Sequence, residues 1–205
     1  TSRRVNHFIA NSRHVQKRIK KYYNQEAAII HPPVDTGLFT PDTNEEKENY
    51  FLIVSAFAPY KRLDLAVNAF NQLNLPFVVI GEGQDAKRLK EMAKTNIHFE
   101  GWLDNSQIRS HFARCRAFIF SGEEDFGITL LEAQAMGRPV IALGRGGALE
   151  TVVPDSQSWK PETGIDKIAT SQPTGVFFYE QTPEALIKAI QHFKSIESQF
   201  DADAI

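Results

Sequence analysis

Cysteine, net charge and long hydrophobic runs are all scarce in this 205-residue sequence. The single cysteine, Cys115, excludes an internal disulfide, and its position beside the apolar run AFIF indicates a small core residue in a reducing compartment. The 23 basic residues nearly balance the 25 acidic ones, so the chain has neither the basic surface typical of nucleic-acid binding nor an acidic tail. Any site for an anion must therefore be local.

No apolar stretch approaches the roughly eighteen residues of a membrane span. The first residues, TSRRVNHFIANS, lack the apolar block and cleavage site of a signal peptide, so we expect a cytoplasmic protein. The basic stretch SRHVQKRIKKYYN is simplest to interpret as the solvated face of a helix, and the alternative is a helix that binds phosphate or a membrane surface. Peripheral association with the inner face of a membrane stays open.

From Tyr50 onward, short apolar runs alternate with amphipathic stretches: FLIV is followed by LDLAVNAFNQL, and FVVI by DAKRLKEMAKT. The apolar runs have no polar side, which is typical of strands covered on both faces. This pattern predicts an α/β fold, a Rossmann-like doubly wound parallel sheet with helices on both faces. The length suits one domain with an attached piece of another.

In such a sheet, ligands bind outside the carboxyl ends of the strands, so the loops that follow the strands carry the candidate site. The loop SAFAPYKRLD places Lys61 and Arg62 at the start of a helix. Cations are unfavourable near the positive end of a helix unless an anion lies between them, which favours a phosphate-type ligand. The alternative is two solvent-exposed cations.

Three further turns are less specific. The stretch EGWLDNSQ places Gly101 and Trp102 at a strand end, where glycine permits close approach and an aromatic ring can flank a nucleobase. Trp102 as a cap on the core is the alternative. The turns GEGQD and GRGGALE fit either ligand contact or tight strand-to-helix connections. GEGQD lacks the third glycine of the dinucleotide fingerprint, which disfavours a nicotinamide dehydrogenase.

The stretch EEDFGITLLEAQAMG carries two glutamates, Glu124 and Glu132, on either side of Gly127. Gly127 lets the chain turn into a helix, whose first free amides at residues 128–130 can hold an anion. Glu132 lies among apolar residues, where a carboxylate needs donors, and the two hydroxyls of a ribose supply them. The alternatives are that Glu124 only favours the helix dipole and that Glu132 is an exposed helix position.

The stretch SGEEDFGITLLEAQAMGRPVIALGRGGALETV resembles the signature of the retaining family-four glycosyltransferases, which belong to group 1 and have the GT-B fold. Further blocks follow the family order, and they are VSAFAPYKRLDLAVNAF, VVIGEGQD, IHFEGWLDNSQI and TGVFFYEQTPEALIKAI. The resemblance therefore covers nearly the whole chain. It implies that residues 46–205 form the C-terminal, nucleotide-sugar-binding domain, and that residues 1–45 are a linker with a remnant strand and helix of the N-terminal domain.

The resemblance also implies a role for each matching residue. Lys61 contacts the donor pyrophosphate and Glu124 clamps the sugar hydroxyls, and these two are the expected catalytic residues. The other expected donor-binding residues are Arg62, Gly101, Trp102, Phe126, Gly127, Ile128, Thr129 and Glu132. Of these, Glu132 is expected at the ribose and Trp102 by the base. The family needs no metal or other cofactor, so cations and helix amides are expected to stabilise the departing nucleoside diphosphate.

The stretches PYKRLDL and TGVFFYEQTPEAL are similar to the branch that transfers mannosyl groups from GDP-mannose in polysaccharide assembly. We therefore expect a retaining mannosyltransferase, with a UDP-sugar as the second choice of donor. The expected partners are the nucleotide-sugar donor, a glycan or lipid-linked acceptor and the chain's own N-terminal GT-B domain, without nucleic acid. The isolated chain is expected to be inactive without that domain.

Two departures from the family pattern stand out. Many members carry arginine where this sequence has Ala56, five residues before Lys61, and Arg62 is the candidate replacement. The polar segment 155–174 is an insertion with no assigned function. The missing cation leaves a second hypothesis open, a non-catalytic nucleotide-sugar-binding or regulatory module of the same fold.

Overall fold

In the computed structural model, which describes residues 4–41, 45–160, 172–202 and 205, six parallel strands form the main sheet and two form a smaller one. The strands are β1 (Phe8–Ala10), β2 (Ala27–Ile29), β3 (Phe51–Val54), β4 (Phe77–Ile80), β5 (Ile97–Gly101), β6 (Ala117–Phe120), β7 (Val140–Leu143) and β8 (Gly175–Phe178). The helices are α1 (Arg13–Tyr23), α2 (Leu63–Leu73), α3 (Ala86–Met92), α4 (Asn105–Arg114), α5 (Ile128–Ala135), α6 (Ala148–Thr151) and α7 (Pro183–Ile196).

The main sheet has the strand order β5-β4-β3-β6-β7-β8, and all neighbouring pairs are parallel. The chain moves outward from β3 through β4 to β5, and it then crosses to the other side of β3 to form β6, β7 and β8. This is the Rossmann order, and its reversal between β3 and β6 is the switch point outside which ligands bind. The predicted doubly wound parallel sheet is confirmed.

Helices cover both faces of this sheet because successive strand side chains alternate between the faces. In β3, Phe51 and Ile53 belong to the core under α2, α3 and α7. Leu52, between them, belongs to the core under α4, α5 and α6. The apolar character of the strands on both sides thus follows from two helical layers, as the sequence pattern predicted.

The N-terminal segment, residues 4–41, contains the smaller sheet, in which α1 connects β1 to the parallel strand β2. The side chain of Ser12 caps α1. The amides of Arg13 and His14 at the start of α1 donate to the carboxylate of Glu150 in α6, at 2.8 and 2.9 Å. Free amides and the dipole at a helix start stabilise a carboxylate, so Glu150 ties the N-terminal segment to the main sheet. Its assignment to a separate domain stays a prediction.

The polar insertion predicted at residues 155–174 begins with a buried acid, and residues 161–171 lie outside the described part of the chain. The Asp155 carboxylate accepts hydrogen bonds from the Ser158 hydroxyl and from a backbone amide, and Nε2 of His192 lies 2.9 Å from Oδ1. Burial by itself raises the pKa of Asp155, but these hydrogen bonds outweigh burial and hold the pKa below its usual value. The start of the insertion is therefore packed against α7.

Two expectations from composition concern Cys115 and membrane spans. Cys115 is fully buried in the core, as predicted, and burial raises the pKa of its thiol to about 12. Within the residue ranges given above, no helix combines the length and apolar character needed to cross a membrane.

Replacing Glu150 with alanine removes the acceptor for two amides of α1. We expect Glu150→Ala to lower the free energy of unfolding by about 1 kcal/mol, the usual cost of losing a helix cap, and to accelerate amide exchange at Arg13 and His14. Urea denaturation and hydrogen exchange measure the two effects. Glu184→Ala is the control, because Glu184 lies in the first turn of α7 and is exposed. Equal effects of the two substitutions would contradict a capping role.

The stability contributed by Asp155 should depend on pH. Its folded-state pKa lies below the unfolded value of about 3.9, so the contribution is complete above that value and is lost as the pH falls through the folded pKa. We expect Asp155→Asn to lower the free energy of unfolding at about pH 7, and the difference from wild type to shrink below about pH 4. Urea denaturation across this range measures the difference. A difference that stays constant with pH would count against the hydrogen-bonded carboxylate as its source.

Candidate functional site

The loops that follow β3 and β6 meet at the switch point and form one wall of an open cleft of about 570 Å³. The predicted site residues in its lining are Lys61, Glu124, Phe126, Gly127 and Ile128. The opposite wall comes from the N-terminal segment. The structure therefore brings together, in one cleft, residues from two loops that are separated by some sixty positions in the sequence.

An ion pair between Lys61 and Glu124 occupies this wall, with Nζ 2.5 Å from Oε1. Lys61 ends the short 3-10 turn Pro59–Lys61, and its carbonyl oxygen accepts a hydrogen bond from the Ser121 hydroxyl at 3.1 Å. The two charged side chains are only 16% and 23% exposed, so water screens the pair less than it would screen one on an open surface. A lysine and a carboxylate held in this way can meet an anion and a hydroxyl side by side.

The glycine-rich turn after β7 supports the loop that carries Glu124. The amide of Gly147 donates to the carbonyl oxygen of Glu124 at 2.8 Å. A Cβ on Gly147 would lie 2.3 Å from the Cα of Phe126, so no other residue fits there without moving the loop. The sequence left this turn open between ligand contact and a tight connection, and its glycines in fact permit close packing beneath the cleft.

Gly127 starts α5 with a positive φ of 81°, and no side chain caps the helix. The amide of Leu130 donates to the carbonyl oxygen of Gly127 at 3.0 Å, so the prediction of free amides at residues 128–130 was wrong by one residue. Within the described part of the chain, the amides of Ile128 and Thr129 have no acceptor. These two amides can bind an anion at the end of the cleft.

Glu132 lies one helical turn after Ile128, on the same side of α5. Its side chain is half-buried, and burial raises the pKa of its carboxyl group. Among the described residues it has no hydrogen-bond or ion-pair partner. Such a carboxylate is costly without donors, and a ligand that extends past Ile128 can supply them.

Five predicted site residues are not in the lining of this cleft. Thr129 and Glu132 follow the lining residue Ile128 in α5, and the other three lie outside this helix. The guanidinium of Arg62 bonds to Asp64 at 3.0 and 3.3 Å, so its role as a second phosphate cation stays a prediction. Gly101 ends β5 at the edge of the sheet, with a positive φ of 74°. Trp102, which follows it, is 71% exposed, and this rules out the alternative that it covers the core.

Sequence reasoning missed the residues that the N-terminal segment contributes to the cleft. Arg18 of α1 lines it, and its Nη1 lies 2.5 Å from Oδ1 of Asp125. His31 stacks on Phe126, with ring centroids 5.5 Å apart. The sequence favours a solvated face for this basic helix, with phosphate or membrane binding as the alternative. In the structure His14 and Arg18, four residues apart, share one side of α1 and contact the acidic loop. Solvated helices show the same spacing, so the sequence alone does not indicate that this side faces a cleft.

The described residues contain no group of three or more histidine, cysteine or acidic side chains arranged to hold a metal ion. The chemistry available in the cleft is therefore a carboxylate for hydroxyl groups, an ammonium and two backbone amides for an anion, and a second carboxylate one turn further along α5. This combination of groups suits a ligand that carries sugar hydroxyls beside phosphate.

Comparison with known sequences gives a match to the family model of glycosyl transferases group 1 over residues 38–203. The chain is 28% identical over 150 residues to an uncharacterized glycosyltransferase of Methanocaldococcus jannaschii, covering 71% of this chain and 42% of that protein. It is 27% identical over 188 residues to the GDP-mannose-dependent monoacylated alpha-(1-6)-phosphatidylinositol monomannoside mannosyltransferase of Corynebacterium glutamicum, covering 77% and 49%. The chain thus spans about half the length of these relatives, or less.

Among solved structures, the crystal structure of Anabaena HepE in complex with UDP and glucose matches with a TM-score of 0.78 and 17% identity. The match covers 99% of this chain and 58% of that one. At this identity the match shows a shared fold, which agrees with the strand order of the main sheet. Because the family model covers most of the chain, the protein belongs to the group 1 glycosyltransferases, as its sequence predicted.

Proposed function

We propose that this chain is the donor-binding half of an enzyme that transfers a hexosyl group from a nucleoside diphosphate sugar, with retention, to a glycan or lipid-linked acceptor. The sugar is proposed to be mannose and the donor GDP-mannose, with a UDP-sugar as the second choice. The chain's own N-terminal GT-B domain is proposed to complete the enzyme. The observation that carries the proposal is the ion pair between Lys61 and Glu124 beside the two free amides of α5.

The donor is proposed to lie along the cleft in a fixed order. Its sugar hydroxyls meet Glu124, and its diphosphate meets Lys61 and the amides of Ile128 and Thr129. Its ribose reaches Glu132, where two hydroxyl donors relieve the cost of a half-buried carboxylate. This order matches the chemistry of the donor. In the proposed arrangement, the carboxylates of Glu124 and Glu132 accept hydrogen bonds from sugar and ribose hydroxyls, and the anion-binding groups lie between them.

In the proposed reaction, negative charge develops on the departing nucleoside diphosphate. The ammonium of Lys61 and the two free amides of α5 are held in place by the fold, so we propose that they stabilise this charge with little reorganisation. Glu124 holds the sugar and places a negative charge near the carbon from which the diphosphate departs. No second carboxylate is assigned as a nucleophile, so Glu124 acts as a sugar clamp and electrostatic stabiliser.

The choice of donor rests on resemblance. The relative from Corynebacterium glutamicum is named as GDP-mannose-dependent, and its name supports mannose. The Anabaena structure holds UDP and glucose, which keeps the UDP-sugar as the second choice. Ala56 supports a second function, a non-catalytic nucleotide-sugar-binding module, because it leaves the loop after β3 with Lys61 as its one cation facing the cleft, among the described residues.

Calorimetric titration of this chain with GDP, UDP and ADP, followed by GDP-mannose, tests the proposal. We expect micromolar to millimolar binding, because the amides and Lys61 bind the diphosphate, and the proposed donor GDP-mannose makes GDP the nucleotide we expect to bind best. The absence of binding by all three nucleotides would contradict the proposal. Transfer of mannose by the complete protein separates the enzyme from the non-catalytic module.

Glu132→Ala tests the ribose contact. We expect it to weaken binding of the preferred nucleoside diphosphate by about 1–3 kcal/mol, the usual cost of leaving hydrogen-bond donors without their acceptor. Calorimetry measures the affinity, and Glu91→Ala is the control because Glu91 is an exposed glutamate of α3 on another part of the surface. An affinity equal to that of the control would remove the proposed role of Glu132.

A further inference from the structure

The N-terminal segment places an arginine across the cleft from the strand-end loops. Arg18 lines the same cleft as Lys61 and Glu124, and its side chain is 54% exposed. It comes from α1, which carries none of the site residues that the sequence predicted. Its position in the cleft is therefore a separate observation from the family motifs.

Three consecutive acids contact basic side chains from opposite sides. Glu124 pairs with Lys61 of the loop after β3. The next residue, Asp125, pairs with Arg18 of α1. The preceding residue, Glu123, lies 3.8 Å from Nε2 of His14, which is also in α1. The acidic stretch therefore stands between two walls, and Arg18 and Lys61 lie on either side of it.

Arg18 is held in place but retains unused donors. The bonds from α1 to Glu150 fix the first turn of the helix, and one guanidinium nitrogen, Nη1, bonds to Asp125. A guanidinium has five N–H groups, and no other described residue accepts from those of Arg18. The remaining N–H groups can bind two oxygens of a phosphate in parallel.

The cleft has a shortage of positive charge for the ligand proposed above. Its described lining holds three carboxylates, and its cations are Lys61, which is already paired with Glu124, and Arg18. Position 56 is alanine, and the guanidinium of Arg62 is bound by Asp64. Three carboxylates repel a diphosphate, so the ligand depends on both cations of the lining; Arg18 reduces the excess of negative charge from two to one.

We infer that Arg18 is a diphosphate-binding residue, so that the donor site is built from both the N-terminal segment and the main sheet. This inference rests on the proposed function, because it names a contact of the same donor. A structural role is the competing explanation, in which the bond between Arg18 and Asp125 only docks α1. The two roles differ in what Asp125 does, since a docking bond needs both partners and a phosphate contact needs only the arginine.

The test compares affinities for a nucleoside diphosphate and for its nucleoside, measured by calorimetry on the whole chain with GDP and guanosine, or with the base that wild type prefers. We expect Arg18→Ala to weaken GDP binding about tenfold or more and to change guanosine binding less than about twofold. Lys61→Ala is the positive reference. Arg13→Ala is the matched control, because Arg13 is an exposed arginine of the same helix whose side chain does not line the cleft.

Asp125→Asn removes the negative charge that pairs with Arg18 and keeps the arginine, so we expect GDP binding to be unchanged or tighter. Equal losses in Arg18→Ala and Asp125→Asn would overturn the inference in favour of docking. The inference would also fail if Lys61→Ala changed the ratio of GDP affinity to guanosine affinity and Arg18→Ala left it unchanged. In that case the proposed function would still stand. If wild type binds no nucleoside diphosphate, the proposed function fails as well. Arg18→Gln, which retains most of the side chain, replaces Arg18→Ala if circular dichroism shows that the alanine variant is unfolded.

Discussion

The ion pair between Lys61 and Glu124 joins the two loops that the sheet topology brings together. β3 and β6 are neighbours because the order of the strands in the sheet reverses at this point, and the loop after each strand contributes one half of the pair. The hydroxyl of Ser121 and the amide of Gly147 then fix the backbone on either side. Backbone contacts thus position the charged groups in addition to their mutual attraction.

The sheet and its faces could be predicted from the sequence because they depend on local periodicity. Apolar runs without a polar side require two helical layers, and β3 shows this with its alternating core residues. The start of α5 could also be predicted, because Gly127 sits between an apolar strand and an apolar helix. One detail failed: the amide of Leu130 closes a tight turn onto Gly127, and such a bond depends on geometry that residue types do not specify.

The cleft's second wall could not be predicted because its contacts join distant parts of the sequence. Arg18 meets Asp125 across 107 positions, and Glu150 meets the start of α1 across more than 130. A basic helix looks the same in a sequence whether it faces water or an acidic loop. The burial of Asp155 at the start of the polar insertion could not be predicted either, because its partner His192 lies in a distant helix.

One short turn governs both walls of the cleft. The amide of Gly147 donates to the carbonyl oxygen of Glu124 in the acidic loop, and the carboxylate of Glu150, three residues later, accepts from the start of α1. Less than one turn of α6 separates these two contacts, so the positions of the two cleft walls are coupled through a single short segment. A displacement of that segment would move the acidic loop and α1 in the same direction, so we expect the distance between the two walls to change little.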